Sequence, residues 1–496
     1  MRRLLLILIC TLMLSAAFQM PTLARQSDSS FEYTDCPFDV PQGETLGNSI
    51  DCGYFLVPED YADPNSPEIY LAVAILYANT DSPAPDPVIY LAGGLAPARC
   101  WRSIAGWKIP FVSRDIILLD QRGTGYSEPS LSCPDAGDNA TDAEAASLSR
   151  LLGRSGRESV GVQQHPVRCR RGGAARSAGL RRVESVRRFL WHAAGAGDDP
   201  RQPDGRAQRN LDSTYPPQVN DQEEASSDEV TTFSVLFNGC AADSVCNDAY
   251  PDLENVFYQT VDQLNSQPGE YVATDPATGE ESDATLSGDG LVEALYQAMY
   301  VTGNIPYLPA MIYAVSEGDY GLLDDINSGA ILDSEKARVP TRRQDEPSDD
   351  ADAMFNSVTC SEEIPFNDYE ASIADAESTP PEVRDGLVGV ESMFQTCEIW
   401  DVTPAPEFEA EPVVSDLPVL VLAGEYDPAT PPAWGEIAAE TLSNSFFFEF
   451  PGVGHGTIDG GDCPRSIFLA FLDDPTTEPD ASCIAEMTPP EFVVIQ

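Results

Sequence analysis

Residues 417–432, LPVLVLAGEYDPATPP, decide how the rest of the chain is interpreted. The first eight are apolar, include β-branched side chains and end in glycine, a pattern that predicts a buried strand. The loop that follows this strand carries Asp427. A second apolar run, FFFEF at residues 446–450, leads into PGVGHG at residues 451–456 and places His455 on a glycine-rich loop after the next strand.

An acid and then a histidine, each just past a strand, is the order of the last two members of a Ser-Asp-His triad. In such a triad the aspartate holds one ring nitrogen of the histidine, and the other ring nitrogen faces a nucleophile. The alternative is a loop aspartate and a loop histidine with no link between them. The chain has only three histidines, and His165 and His192 lie in a segment of foreign composition, so the triad interpretation of Asp427 and His455 is favoured.

Further strands are predicted in the N-terminal half of the chain. Strands that end in glycine loops, with helical segments between them, predict an α/β fold with a mostly parallel sheet. A glycine-rich turn after an early strand is where acyl-transfer enzymes of this class place an oxyanion-hole N–H, and Gly93 and Gly94 are the candidates. An ordinary turn is the alternative for these two glycines. The predicted strands lie in CGYFLVPEDY (52–61), EIYLAVAILYA (68–78), PVIYLAGG (87–94) and RDIILLDQRGTGYS (114–127).

Five motifs, LAGG, LLDQRGTGYSEPSLSCP, LDSTYPP, VLAGEYDPATPP and GVGHG, together resemble the exported α/β-hydrolases of the prolyl and tripeptidyl aminopeptidase type. The resemblance covers most of residues 36–133 and 211–483. It implies an α/β-hydrolase fold with an inserted, mostly helical cap, and a serine nucleophile that releases N-terminal residues or short peptides. By the same resemblance Asp427 is the triad acid and His455 the base, and no cofactor is implied.

The resemblance also implies a division of the chain and a place for the substrate's amine. In aminopeptidase relatives, cap carboxylates receive the α-ammonium group, and TCSEEIPF offers Glu362 and Glu363 for this role. The alternative is a pair of solvated surface glutamates. The expected segments are a signal peptide at 1–24, an N-terminal part of the hydrolase core at 36–215, the cap at 216–405 and a TAP-like C-terminal part of the core at 406–496.

Two departures from the family pattern concern the catalytic machinery. The oxyanion turn reads GGLAPA where the family has GGPG, and no GxSxG nucleophile elbow occurs anywhere in the chain. The elbow is expected between the DQRGTG and LDSTYPP motifs. Residues 150–209 lie there instead and contain fourteen of the chain's 28 basic residues. A basic arm for nucleic acid is one interpretation, but the block nearly lacks aromatic residues.

A shift of reading frame explains residues 150–209 better. With suitable codons, stepping one nucleotide along QHPVRCRRGGAAR (164–176) gives NTPSAADVEALR. The same step turns RRFLWHAAGA (187–196) into GVSYGTRLA, a GxSxG elbow whose serine overlies Phe189. A third segment, RQPDGRAQR (201–209), becomes DNPTGVRS under the same step. The chain as written therefore lacks the expected nucleophile, and its activity depends on how residues 150–209 are encoded.

Export is predicted from the N-terminus, where MRRLLLILICTLMLSAAFQMPTLA has two arginines, a short apolar run and small residues near Ala24. The apolar run is too short for a stable membrane anchor. With 81 acidic and 28 basic residues, the chain is expected to repel nucleic acid. We therefore expect a secreted or extracytoplasmic protein that acts on a peptide or small ester; the sequence does not indicate its oligomeric state.

The cysteines also indicate an oxidising compartment. Ten remain once Cys10 of the signal and Cys169 of the basic block are set aside, and we expect them to pair with their neighbours in sequence, although sequence alone does not fix the pairing. The absence of a CxxC motif and the three histidines argue against a zinc site. The ten candidates are Cys36, Cys52, Cys100, Cys133, Cys240, Cys246, Cys360, Cys397, Cys463 and Cys483.

Overall fold

The structure is a computed structural model. Some predictions fall outside the described residues and stay predictions. They concern the signal peptide, Gly93 and Gly94, Cys100 and Cys133, and the expected nucleophile elbow. The structure describes residues 30–40, 43–59, 65–84, 87–91, 113–129, 208–276, 278–332, 352–384, 390–400 and 402–495.

A five-stranded sheet forms the N-terminal part of the core, and each strand predicted there is present. Its order is β1-β2-β3-β5-β4, in which only β4 and β5 are parallel. The expectation of a mostly parallel sheet is therefore wrong for this part. The consecutive strands β1, β2 and β3 pair antiparallel, which needs no crossover, whereas parallel neighbours need one. The strands are β1 (Ser30–Thr34), β2 (Ile50–Pro58), β3 (Glu68–Leu76), β4 (Val88–Tyr90) and β5 (Ile116–Leu119).

A three-stranded parallel sheet carries the C-terminal part of the core. Strand β6 (Arg209–Asp212) comes first, and a separate hairpin of β7 (Gly269–Thr274) and β8 (Glu281–Leu286) follows it in the chain. Strands β9 (Val419–Gly424) and β10 (Ser445–Phe450) complete the sheet in the order β10-β9-β6. Every residue of β9 is buried, as expected for an apolar strand at the centre of a parallel sheet. The carboxyl ends of these three strands therefore meet at one edge.

The two sheets share one hydrophobic core. Leu118 of β5 lies in the same buried cluster as Leu420 of β9 and Phe450 of β10. Just before β5, the Arg114 guanidinium donates to the Asp473 carboxylate at 2.8 Å and to the Leu472 carbonyl at 3.1 Å. Among the described strands, β4 pairs only with β5 and β6 pairs only with β9, so each is the last strand of its sheet.

The residues between β6 and β9 are mostly helical and build a core of their own. Phe233, Leu236, Phe257, Leu295 and Met311 are fully buried in it. This confirms an inserted, mostly helical cap, while its boundaries at 216 and 405 stay predictions. No helix within the described ranges has the length and apolar character needed to cross a bilayer. The main helices are α1 (Asp221–Ala242), α2 (Ser244–Ala249), α3 (Leu253–Ser266), α4 (Gly288–Met299), α5 (Leu308–Ser316), α6 (Gly321–Asn327), α7 (Asp352–Val358), α8 (Tyr369–Ser378) and α9 (Val390–Trp400).

Two more helices belong to the C-terminal part of the core. Helix α10 (Pro432–Ala439) follows the Asp427 loop, and α11 (Asp462–Asp473) follows the His455 loop. In α11 the apolar side chains of Ile467 and Phe471 are fully buried against the sheets. The helix is amphipathic, so its apolar face covers the core while its acidic face meets water.

Four disulfides lie within the described residues, and each joins cysteines that are neighbours in the expected set. Cys463 at the start of α11 is bonded to Cys483, so the chain after α11 is tied back to that helix. A bond that closes a loop of this size typically stabilises a fold by about 2–4 kcal/mol. The other pairs are Cys36–Cys52, Cys240–Cys246 and Cys360–Cys397.

An acidic side chain lies where the cap helix α1 meets α10. Burial, with the charges of Glu224 and Asp375, raises the pKa of Asp228 to about 6, although a hydrogen bond from Trp434 opposes the shift. The folded protein therefore binds more protons than the unfolded chain between the ordinary value of 3.8 and about 6. Stability from this group falls as the pH rises through that window.

We predict that Asp228→Asn raises the melting temperature at about pH 7.5 and changes it little at about pH 4, because only the ionised carboxylate is disfavoured. Thermal unfolding at both pH values measures the effect. Asp283→Asn, which replaces an exposed acid of β8, is the matched control and should show no such difference. Equal stabilisation by Asp228→Asn at both pH values would contradict the prediction.

Candidate active site

Asp427 lies three residues beyond β9 and is 1% exposed. Its Oδ1 accepts hydrogen bonds from the backbone N–H groups of Ala429 and Thr430, both at 2.9 Å. Its Oδ2 accepts from the Thr430 hydroxyl at 2.8 Å. A buried carboxylate whose oxygens are satisfied by its own loop in this way has a fixed orientation.

His455 lies five residues beyond β10 and meets this carboxylate. The imidazole Nδ1 is 2.9 Å from Oδ1 and 3.0 Å from Oδ2 of Asp427. An Nδ1–H group that donates to a carboxylate leaves Nε2 free to accept a proton. The side chain is 33% exposed while that of Asp427 is fully buried, so the acid is sealed and the imidazole remains accessible.

The loop that carries His455 is held against the end of the cap helix α4. The His455 N–H donates to the Tyr300 carbonyl at 3.1 Å, and the Gly454 N–H donates to the Thr302 hydroxyl at 3.0 Å. A side chain at position 454 would collide with the Met299 carbonyl, so this close approach requires glycine. The Tyr300 ring lies 5.1 Å from the imidazole, centroid to centroid. The cap therefore contacts the histidine directly.

The charges around the imidazole favour its protonated form. Burial alone lowers the pKa of His455, but the hydrogen bond and charge of Asp427, together with the charge of Asp212, raise it above the ordinary 6.5. The Thr430 hydroxyl lies 3.3 Å from Nδ1 and contributes a further polar contact. A histidine with this environment binds a proton readily, which suits a group that must take one from a nucleophile.

Asp212 and Ser213, at the end of β6, are site residues that the sequence analysis did not identify. Thr457 donates to Asp212 Oδ1 from both its N–H at 2.8 Å and its hydroxyl at 2.6 Å, and the Ile458 N–H donates to Oδ2 at 3.3 Å. The Ser213 hydroxyl accepts from the Gly456 N–H at 2.9 Å. The signal was the LDST motif at residues 211–214, because a third parallel strand ends there at the same edge as the other two.

Glu362 and Glu363 are buried, at 2% and 8% exposure, so the interpretation as solvated surface glutamates is wrong. They end a π-helical turn, Thr359–Glu363, that follows α7 directly. Glu363 Oε2 accepts a hydrogen bond from the Tyr215 hydroxyl at 2.6 Å. Tyr215 belongs to the segment that leaves β6 just after Asp212, so the glutamates are connected to the neighbourhood of His455.

Ser127, in the DQRGTGYS motif, is not presented as a nucleophile. Its side chain is 1% exposed, donates to the Asp120 carbonyl at 2.7 Å and accepts from the Ala72 N–H at 2.9 Å. The contact with Ala72 fastens the loop after β5 to β3, and the contact with Asp120 closes that loop on itself. Nearby, Asp120 accepts from the Tyr126 N–H and Arg122 donates to the Glu59 carbonyl, so the motif braces the core.

Comparison with known proteins identifies the C-terminal part of the chain. Residues 388–483, which carry both Asp427 and His455, match the family model described as TAP-like protein. The chain therefore contains a TAP-like region. This region contains β9, β10, α10, α11 and the disulfide that closes behind α11.

Two relatives of the chain are peptidases. The chain is 35% identical to a tripeptidyl aminopeptidase of Streptomyces lividans over 119 residues, a match that covers 23% of this chain and 21% of that protein. It is 24% identical over 493 residues to the serine protease Hip1 of Mycobacterium tuberculosis, a match that covers 91% of this chain and 90% of that protein. The matched part is therefore about a fifth of the length of the aminopeptidase.

Solved structures that resemble the chain do so at low similarity. A thermophilic esterase from Thermogutta terrifontis is 15% identical and aligns with 85% of this chain and 99% of its own, at a TM-score of 0.30. A bromoperoxidase from Bacillus anthracis is 14% identical and aligns with 85% of this chain and all of its own, at a TM-score of 0.27.

We predict that His455→Gln lowers the free energy of unfolding more at about pH 5.5 than at about pH 8.5. The pKa of His455 is raised in the folded protein, so its pairing with Asp427 stabilises the fold fully at pH values below the ordinary pKa of 6.5. This stabilisation is lost as the pH rises through the pKa of His455 in the folded protein. Denaturant unfolding of a double-mutant cycle with Asp427→Asn isolates the pair. A coupling energy that does not depend on pH would contradict the prediction.

Proposed function

We propose that the protein is a secreted or extracytoplasmic serine hydrolase of the aminopeptidase type, which releases N-terminal residues or short peptides from peptide substrates. The single observation that carries the proposal is the contact between the buried Asp427 carboxylate and the accessible His455 imidazole. The peptidase relatives of the chain favour peptides as the substrate class.

In the proposed mechanism His455 Nε2 takes the proton from a serine hydroxyl as its oxygen attacks the scissile carbonyl carbon. The carbonyl electron pair moves to oxygen, and the resulting oxyanion is bound by backbone N–H groups, for which Gly93 and Gly94 are the candidates. The protonated His455 then gives its proton to the leaving amine as the C–N bond breaks. Water, deprotonated by His455, cleaves the acyl-serine ester and restores the enzyme.

The serine of this mechanism is proposed to be encoded by the shifted reading of residues 187–196. Two observations support a place for it. Strand β4 is the last strand of the first sheet and is parallel to its neighbour β5, while β6 is the last strand of the second sheet and is parallel to its neighbour β9. The neighbours β5 and β9 contribute to the same hydrophobic core. The chain between β4 and β6 contains the residues where the elbow is expected. A parallel strand between β4 and β6 would end at the edge where His455 lies.

Glu362 and Glu363 are proposed to receive the α-ammonium group of the substrate. Their burial supports this role, because a carboxylate away from water interacts more strongly with a cation than a solvated one does. The contact of Glu363 with Tyr215 supports it as well, since it fixes the carboxylate relative to the end of β6. An opposite charge at a fixed distance from the nucleophile would restrict cleavage to the first residues of a peptide.

Two other functions are open to the same fold. An esterase would use the same triad on small esters and would not need a buried carboxylate for an amine. A non-catalytic binding protein would use the space under the cap without a nucleophile, and the missing GxSxG motif favours it for the chain as written. Extracytoplasmic location is supported by the disulfides, which persist in oxidising compartments.

We predict that a fluorophosphonate probe does not label the chain as written, while a version with the reading frame of residues 164–209 restored takes up one equivalent at the new serine. Intact-mass spectrometry and peptide mapping provide the measurement. Stoichiometric labelling of the unaltered chain at any serine would contradict the prediction and identify another nucleophile. Sequencing of the gene is the accompanying control: without a one-nucleotide change that creates GxSxG, the restored version has no basis.

In the restored protein we predict that His455→Ala and Asp427→Asn both lower kcat, by on the order of 10⁴-fold, with little change in KM. Both side chains act on the transition state: His455 carries the proton and Asp427 fixes its tautomer. Since neutral His455 is the base, kcat/KM should rise with pH through a midpoint above 6.5. Near-normal turnover in His455→Ala would mean that another base acts.

We predict that Glu363→Gln in the restored protein weakens cleavage of chromogenic peptides with a free amine and leaves N-acetylated peptides and small esters unaffected. The ratio of kcat/KM for free and acetylated substrates measures this selectivity. Because Tyr215 holds Glu363, Tyr215→Phe is the matched control that removes the hydrogen bond and keeps the charge. Equal activity on free and acetylated peptides in the parent would favour the esterase.

A further inference from the structure

Asp212 is a carboxylate beside His455 that the triad does not use. It is the last residue of β6, and β6 is parallel to and paired with β9, the strand that leads to Asp427. Asp427 holds Nδ1 of the imidazole, so Asp212 is not the triad acid. Its oxygens instead face the two residues Thr457 and Ile458, which follow the histidine loop.

The contacts of Asp212 converge on the turn that begins directly after His455. A short 3-10 turn, Thr457–Gly460, starts there, and its first two N–H groups have no acceptor within the turn. Asp212 accepts from both of them and also from the Thr457 hydroxyl. A carboxylate at the first turn of a helix, bonded to its free N–H groups, fixes the position of that turn.

The neighbouring Ser213 holds the same turn by a neutral contact. Its backbone has a φ of 56°, a left-handed conformation that is uncommon for serine, and its hydroxyl accepts from the Gly456 N–H at 2.9 Å. The chain thus leaves β6 with two successive side chains bonded to the residues after His455. The contact of Asp212 carries a charge and that of Ser213 does not, so the effect of the charge can be separated from the effect of holding the turn.

We propose that Asp212 is a positioning residue, whose carboxylate fixes the turn after His455 and places a second negative charge beside the imidazole. The proposal deepens the proposed function, since it concerns the same base, but its geometry does not depend on catalysis. The titratable groups that the structure gives around the imidazole are Asp427 from the loop after β9, Asp212 from β6 and Tyr300 from the end of α4.

Opposing effects act on the ionisation of Asp212. Burial raises the pKa of Asp212 above its ordinary value, although the hydrogen bonds from Thr457 and Ile458 and the charge of His455 act to lower it. Three donors on two oxygens match the acceptor capacity of an ionised carboxylate, whereas a protonated acid would bring a further donor to the same turn. The donor pattern therefore favours the ionised form, and its charge supports the raised pKa of His455.

The test is the titration of His455 by NMR in the full chain with ¹³C-labelled histidine. The chain has three histidines, and His455→Gln assigns the signal. In Asp212→Asn, which keeps the shape and removes the charge, we expect the pKa of His455 to fall below that of the parent. Ser213→Ala removes a hydrogen bond to the same turn without changing the charge, and it should leave the pKa unchanged.

A second readout follows the turn itself. Asn at position 212 offers one acceptor oxygen, so one of the N–H groups of Thr457 and Ile458 loses its acceptor. We expect amide exchange there to accelerate by about fivefold, the factor that corresponds to the ~1 kcal/mol net contribution of one hydrogen bond. A role limited to holding the turn would change this exchange and leave the pKa of His455 where it is.

An unchanged pKa of His455 in Asp212→Asn, or an equal fall in Ser213→Ala, overturns the proposal. Thr457→Val is the second variant if Asp212→Asn fails to fold. It removes the hydroxyl that donates to Asp212, so Asp212 takes up its proton at a higher pH. The pKa of His455 should therefore fall, as it should in Asp212→Asn. No change there overturns the proposal as well. None of these measurements needs a nucleophile, so failure of the proposed hydrolase activity in the labelling experiment remains a separate result.

Discussion

The buried carboxylate of Asp427 is the constraint on which the site depends. It makes hydrogen bonds to its own loop and to His455. Because the side chain is buried, water cannot replace a hydrogen-bond partner that is lost. Leaving a buried acceptor unsatisfied costs about 1–3 kcal/mol, and more for a charged group. The loop after β9 and the loop after β10 are therefore held in a fixed relation, and the distance between acid and base follows from it.

The same interaction links the hydrolase core to the cap. Tyr426, next to Asp427, is buried in the hydrophobic core of the helical region, and the tyrosine hydroxyl lies close against Gly239 of α1. His455 is bonded through its N–H to the Tyr300 carbonyl at the end of α4. Movement of the cap would therefore disturb the acid and the base together, and an altered cap should change the chemistry as well as substrate access.

A negative environment around the histidine fits the proposed role. The charges of two carboxylates on neighbouring parallel strands act on the imidazole, and each carboxylate is held by N–H donors of a loop at the same sheet edge. Charge alone does not explain this arrangement, because the chain has 81 acidic residues. What distinguishes Asp427 and Asp212 is that their oxygens are directed by hydrogen bonds, so their charges act on one ring at short range.

The sequence by itself determined the strands around Asp427 and His455 and the candidate acid and base. These follow from local patterns: apolar runs closed by glycine, and polar residues directly after them. The helical insertion between β6 and β9 was implied by the resemblance to a family. The antiparallel pairing of β1, β2 and β3 was not determined in this way, because strand direction depends on which strands become neighbours in space. The tertiary structure alone decided that Glu362 and Glu363 are buried and that Asp212 reaches the turn after His455. Asp212 and Thr457 are 245 residues apart in the chain, and no local pattern can indicate a contact that exists only because parallel strands end at one edge.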